Sequence, residues 1–207
     1  IGRSIRVVER SSGRVVGIVE EARADHTVHP GAVHLHQGAT FVVAELDLEA
    51  GHALVVAGDP GWSTQARSIS RFDLGQVRAR REHPDLAVSF GEVTVHSQVV
   101  SFLRRDPAGE VIGEHRLDLP ERTLATMGVW WTLPENVLSD VGLHSRQWPG
   151  ALHAAEHALI GMLPLVATAD RWDVGGVSTA YHPDTGLPTV LVYDGHPGGA
   201  GFAERGD

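Results

Sequence analysis

Up to about residue 120 the chain alternates apolar and polar positions with period two, the spacing of half-buried strands. "SIRVVER" and "GRVVGIVEE" flank the turn "SSG" with β-branched residues, a hairpin signal. In "AVHLHQGATFVVAELDL", Val33 and Leu35 alternate with His34 and His36, and "QGA" turns the chain into Phe41, Val42 and Val43. "HALVVAGD", "ARSISRFDL", "LAVSFGEVTVHSQVVSFLRRD" and "VIGEHRLDLP" continue the pattern, separated by polar turns such as "PAGE". Such a series predicts antiparallel structure of the meander or barrel-like kind.

The pattern changes near residue 120. "TMGVWWTL" reads as one more strand, followed by a short helix after Pro134. A longer helix is expected from about Pro149 to Ala167, with Pro164 kinking or ending it. It carries apolar residues around its circumference (Leu152, Ala155, Leu159, Ile160, Met162), which predicts a buried helix. Two short strands, Thr179–Tyr181 and Thr189–Tyr193, then lead to a glycine-rich turn that opens a last helix. The fold class expected is therefore α+β: a β-rich antiparallel first part, residues 1–119, then residues 120–207 as a buried helix packed on a small sheet.

Composition narrows the function classes. The 207 residues are 42% hydrophobic and 21% charged, ordinary for a globular domain, and no apolar run reaches the roughly 18 residues that span a bilayer. The N-terminus, "IGRSIRVVERSSGRVVGIVEE", is interrupted by charge and is not read as a signal peptide. It also lacks a starting Met, as expected of a piece of a longer chain. Without cysteine there are no disulfides, thiolate zinc sites or Cys nucleophiles. The net charge is −9, and all 17 basic residues are arginine. Nucleic acid binding by overall charge is thus disfavoured, since counterion release needs clustered cations. Local clusters remain at Arg78, Arg80 and Arg81, at Arg104 and Arg105, and at Arg3, Arg6 and Arg10, where solvated strand ends are the plainer reading.

The long helix contains "HAAEH", placing His153, Glu156 and His157 on one face in the H-x-x-E-H order of inverted zinc peptidases. A catalytic zinc needs a third protein ligand and an open position for water. No later carboxylate stands in a third-ligand motif, and with 13 histidines a chance match is easy. A structural polar face that finds partners inside the fold is the competing reading, and the two stay open: an interior anchor, or a zinc-dependent hydrolase.

Two other stretches invite function. "YDGHPGGAGFAERG" could cradle phosphate with backbone N–H groups, but there is no P-loop lysine and no βαβ unit around it. Tight turning is the simpler role for its glycines. Trp62, in the loop "GDPGWSTQAR" beside Arg67, and the pair Trp130–Trp131 could stack on bases, although aromatics in strands more often fill cores.

Four long motifs, in order, resemble the C-terminal region of MrfA-type DNA helicases, superfamily 2 DEAD/DEAH-like proteins that end in an MrfA zinc-binding domain. They are "TVHPGAVHLHQGATFVVAELDLEAGHALV", "VWWTLP", "GLHSRQWPGALHAAEHALIGMLPLVATADRWDVGGVS" and "VLVYDGHPGGAGFAERG". The resemblance implies a non-catalytic accessory module of an ATP-driven 3′–5′ helicase of DNA repair, cytoplasmic and nucleoid-associated. DNA and the helicase's own RecA-like motor domains are the implied partners, with no membrane. ATP and Mg²⁺ would belong to the parent, and its zinc to a cysteine cluster that follows the "AERG" segment. This chain has no cysteine, so no zinc of that kind is implied here; either the chain stops before the cluster or this member lacks it. The same resemblance speaks against a peptidase role for His153, Glu156 and His157. Trp62, Arg67, Arg78, Arg80, Arg81, Arg104 and Arg105 are the expected DNA contacts, since guanidinium forks suit phosphate and stack on bases.

Overall fold

The computed structural model describes residues 3–162, 173–199 and 201. Their contacts divide the chain into two compact units, residues 1–69 with 97–121 and residues 70–96 with 122–207. The chain finally leaves the first unit at residue 121, while residues 70–96, which the sequence places in the β-rich part, group with the second. The cause is two long strands, β6 (Ser63–His83) and β7 (Leu86–Arg105), each of which runs through both units.

In the first unit β1 (Ser4–Glu9), β2 (Val15–Glu20), β3 (Val33–His36), β4 (Ala39–Asp47) and β5 (His52–Ala57) form a sheet in the order β2-β1-β5-β4-β3. All pairs are antiparallel except β1 with β5, which is parallel and was not expected from the alternation. The β3–β4 hairpin turns on Gln37 and Gly38 with φ of 48° and 79°, the two positive values of a primed turn that matches strand twist. The sheet curls as the barrel-like reading anticipates. A Cβ on Gly17 of β2 would lie 3.3 Å from His36 Nδ1 and 3.6 Å from His34 Nε2 on β3, the opposite edge strand.

A short helix, α1 (Glu21–Thr27), starts where the sequence had prolonged a strand; Glu21 stands in its first turn and His26 in its last, each suiting the local end of the helix dipole. Ala24 and Val28 from this segment join Ile5, Val7, Phe41, Val43, Ala53 and Val55 in the core. β8 (Val111–Arg116) pairs with residues 101–105 of β7.

His29 is buried at 1% exposure, its ring 4.8 Å from that of Phe102 and its Nδ1–H donating to the Pro30 carbonyl at 3.0 Å. Burial holds its pKa below the usual 6.5, outweighing the bond to Pro30; His26 lowers it further and Asp25 raises it. The unfolded chain therefore binds a proton below pH 6.5 that the folded chain refuses, so the stabilising contribution is complete above that pH. It is lost as pH falls through the depressed folded value. A His29→Gln variant is expected to show a flatter loss of stability between pH 7 and 5, measured by denaturant melts at several pH values; an unchanged slope would contradict this assignment.

In the second unit the sheet order is β10-β11-β9-β7-β6, built with β9 (Arg122–Thr132), β10 (Val174–Thr179) and β11 (Thr189–Asp194). The first of the two late strands thus ends, rather than begins, at Thr179. Val174 to Thr179 pairs in register with β11, and the residues after it turn. Trp130 and Trp131 on β9 point to opposite faces. Trp130 packs with Phe72, Val93, Val95, Val177 and Leu191, and Trp131 with Val174, Val192, Leu159 and Ile160.

The β10–β11 loop reaches β6. His182 Nε2–H donates to the Phe72 carbonyl at 2.9 Å and its ring stacks on Phe72, while Asp184 Oδ2 accepts from the Leu74 N–H at 3.1 Å. Two side chains thereby occupy backbone groups along an edge strand.

After the short helix α2 (Glu135–Asp140) comes α3 (Trp148–Met162), which packs on β10 and β11. The helix-on-sheet arrangement matches the expected fold class, but α3 is not buried all round. Leu152 and Glu156 are its buried residues, while His153, Ala154, Ala155, His157, Ala158 and Met162 are exposed. Alanines made the circumference look apolar, and one sheet can cover only one face. The expected continuation to Ala167 and the final helix after the glycine-rich turn lie outside the described residues.

Candidate functional site

The side chains of His153, Glu156 and His157 come together on α3, their ligand-type atoms all within 4.8 Å of one another. Helical spacing explains this, because positions three and four apart stack over one turn. Their environments differ sharply. Glu156 points at the sheet and is 6% exposed, whereas the His153 side chain is 62% exposed.

Glu156 Oε2 accepts a hydrogen bond from Ser178 Oγ of β10 at 2.7 Å and faces His153 Nδ1 at 3.3 Å. His157 Nε2 lies 3.1 Å from His153 Nε2, with the rings edge to face. Close approach of helix and strand depends on Gly176, where a Cβ would stand 2.6 Å from Glu156 Cγ. The neighbouring Tyr193 has its pKa raised, first by burial and then by the Glu156 charge. The sequence reading made all three residues a buried polar face. Of the three, only Glu156 is buried; His153 and His157 are exposed. Ser178 and Gly176 were missed as partners, although the pair "GG" in "DVGGVS" was a usable signal of close packing.

The arginines and Trp62 fall into separate groups. In the first unit, Arg104 Cζ lies 4.8 Å over the Trp62 ring and 6.0 Å from that of Phe102. Its Nε is buried without a hydrogen-bond partner among the described residues. Arg105 donates to Gln65 Oε1 at 2.9 Å and to the Gly109 carbonyl at 2.7 Å, so it braces the turn before β8. Arg67 sits on β6 rather than in a loop with Trp62, and is exposed.

In the second unit Arg78, Arg80 and Arg81 lie near the far end of β6, where every residue from Gly75 to Asp85 is exposed. This exposed ribbon is the β6 edge of the sheet alone, since residues 86–91 of β7 beside it are half-buried or buried, with Ser89 at 1% exposure. Arg78 pairs with Glu92 and Arg80 with Glu82, both at 3.0 Å. Such exposed pairs contribute about 0–1 kcal/mol and exchange readily for other anions. Trp130, 2% exposed, is core and not a stacking platform.

Residues 155–207 match the family described as the MrfA Zn-binding domain. Over 193 residues, 93% of this chain, the sequence is 28% identical to the Bacillus subtilis protein named "Uncharacterized ATP-dependent helicase YprA". It is also 28% identical over 171 residues, 80% of the chain, to ATP-dependent helicase HRQ1 of Saccharomyces cerevisiae. The chain spans only 25% and 16% of those two proteins. A crystal structure of the DUF1998 helicase MrfA bound to DNA superposes with a TM-score of 0.72 at 27% identity, covering 98% of this chain and 27% of the other. A second, bound to DNA and AMPPNP, gives 0.65 at 27% identity over 97% of this chain and 25% of the other. The resemblance to MrfA-type helicases therefore holds along nearly the whole chain, in sequence and in fold.

Proposed function

We propose that this chain is a non-catalytic accessory module of an ATP-dependent 3′–5′ DNA helicase of DNA repair, which holds or steers a DNA strand beside the motor domains. The observation that carries it is the agreement, over 98% of the chain, with the fold of a helicase crystallised on DNA. With no lysine in the sequence, the chain has no P-loop lysine of its own, so ATP and Mg²⁺ belong to the motor. The zinc implied by the family description does not fit a cysteine set here, because the chain has none. No helix among the described residues is long and apolar enough to cross a membrane, and work on DNA would put the protein in the cytoplasm at the nucleoid.

In this proposal the second unit contributes Arg78, Arg80 and Arg81 on the exposed ribbon, and the first unit separately contributes Arg67 and the Trp62–Arg104 stack. Arg105 serves it only by fixing the adjacent turn. Residues 80 and 81 project to opposite faces of β6, so the ribbon offers a guanidinium on each side. With a net charge of −9, binding by the isolated chain should be weak and should fall steeply with salt.

The test is an Arg80→Ala/Arg81→Ala double substitution in the full-length helicase, expected to slow unwinding several-fold while ATP hydrolysis on short single strands persists. Unwinding at the original rate would remove the ribbon from the DNA path. The isolated chain is expected to show no ATPase activity, and DNA-stimulated hydrolysis by it would overturn the accessory reading.

A zinc-dependent hydrolase built on His153, Glu156 and His157 is a second reading, favoured by their convergence. It asks Glu156 to serve as ligand or general base, yet that carboxylate is buried and already accepts from Ser178. The accessory module is therefore the preferred function.

A further inference from the structure

We propose that the exposed face of α3 is a binding site for a divalent transition metal, with His153 Nε2 and His157 Nε2 as ligands and Glu156 as the positioning residue. The geometry begins with two imidazole nitrogens 3.1 Å apart, facing each other across one helical turn. Two ligands of one small ion stand at about this separation when each nitrogen is roughly 2.0–2.1 Å from the metal.

The third side chain orients the pair. Glu156 Oε2 faces His153 Nδ1 at 3.3 Å and is itself held by Ser178 Oγ at 2.7 Å. A carboxylate there places the His153 proton on Nδ1 and leaves its Nε2 lone pair, 3.1 Å from His157 Nε2, available to a metal. Carboxylate–histidine pairing of this kind fixes ring orientation in metal sites and strengthens the imidazole as a ligand. Because Glu156 is clamped to β10 and α3 lies against that strand, the ligands ride on a rigid element rather than on a loop.

Exposure supports entry of the ion: the His153 side chain is 62% exposed and His157 is also exposed. Water would complete the coordination. Imidazole donors select zinc, nickel and copper over magnesium and calcium, which prefer oxygen. This site uses none of the cysteine chemistry of the family description, and it is independent of the DNA-guiding role proposed above.

The experiment titrates the 207-residue chain with zinc chloride and nickel chloride by calorimetry, and with copper(II) by electron paramagnetic resonance. One equivalent should bind, with a copper spectrum showing two nitrogen donors. His153→Ala and His157→Ala should each weaken binding by more than tenfold, and Glu156→Gln by about 10- to 100-fold. Both histidines are exposed, so their alanine variants should fold, which circular dichroism checks. If Glu156→Gln unfolds, Ser178→Ala reports on the same clamp through a smaller loss of affinity. Absence of binding, a single-nitrogen copper spectrum, or affinity unchanged in either histidine variant would overturn the site. The arginine substitutions that test the DNA path should leave metal binding untouched, so the two proposals fail separately.

Discussion

Trp130→Ala is expected to lower the unfolding free energy by about 3–5 kcal/mol, the range for deleting a large buried aromatic. Trp130 is 2% exposed and lies among Phe72, Val93, Val95, Val177 and Leu191, side chains from four strands of the second unit's sheet besides its own. No small group nearby can collapse into the space, because these neighbours are fixed by strand register: Leu191 stands directly opposite Trp130 in the β9–β11 ladder. Urea denaturation checks this, with a lower midpoint and an unchanged slope. Trp131→Ala, at a half-buried position on the other face, should lose distinctly less. If the two substitutions cost the same, Trp130 is not the centre of that core.

Gly176→Val should be nearly as severe, for the opposite reason. A Cβ at this strand position would stand 2.6 Å from Glu156 Cγ and 2.8 Å from Ile160 Cδ1, closer than real side chains approach. Glu156 cannot swing aside without giving up Ser178, so α3 must lift. Overpacking together with the lost charged hydrogen bond should cost about 3 kcal/mol. Gly161→Ala is the control: nothing lies within 4 Å of a Cβ there, and an exposed helical alanine should be neutral or stabilising by up to about 1 kcal/mol. Thermal melts of both variants decide the matter, and a Gly176→Val protein as stable as the parent would mean that α3 docks elsewhere.

Much of this architecture was legible because strand alternation and turn chemistry are local. The Gln37–Gly38 turn, the β11 strand and the helix under "HAAEH" could all be read from short stretches. What depended on distant partners could not. The length of β6 was hidden because its exposed ribbon carries no apolar alternation, only Gln76, three arginines and Glu82 around a lone Val77 and Ala79. The parallel β1–β5 pairing joins strands far apart in sequence, and no periodicity announces it. For the candidate site, the sequence supplied the three residues of the helix face but not their division into one buried carboxylate and two exposed imidazoles. That division depends on Ser178 and Gly176 beneath the helix. The arginine clusters were likewise visible as charge, while their pairing with Glu92 and Glu82 was not.

The bonds from His182 and Asp184 to the backbone of Phe72 and Leu74 also bear on how the protein behaves at high concentration. An edge strand with free N–H and C=O groups is a template on which another chain can add a strand, the first event of aggregation or strand exchange. Here two groups of that template, at Phe72 and Leu74, are occupied by side chains of the same molecule. Those side chains are delivered by the loop before β11, so this protection arrives only once β10 and β11 have paired. During synthesis and refolding, β6 is made long before its guards. The interval between the two is when the chain is most exposed to self-association, and a folding partner would matter most then.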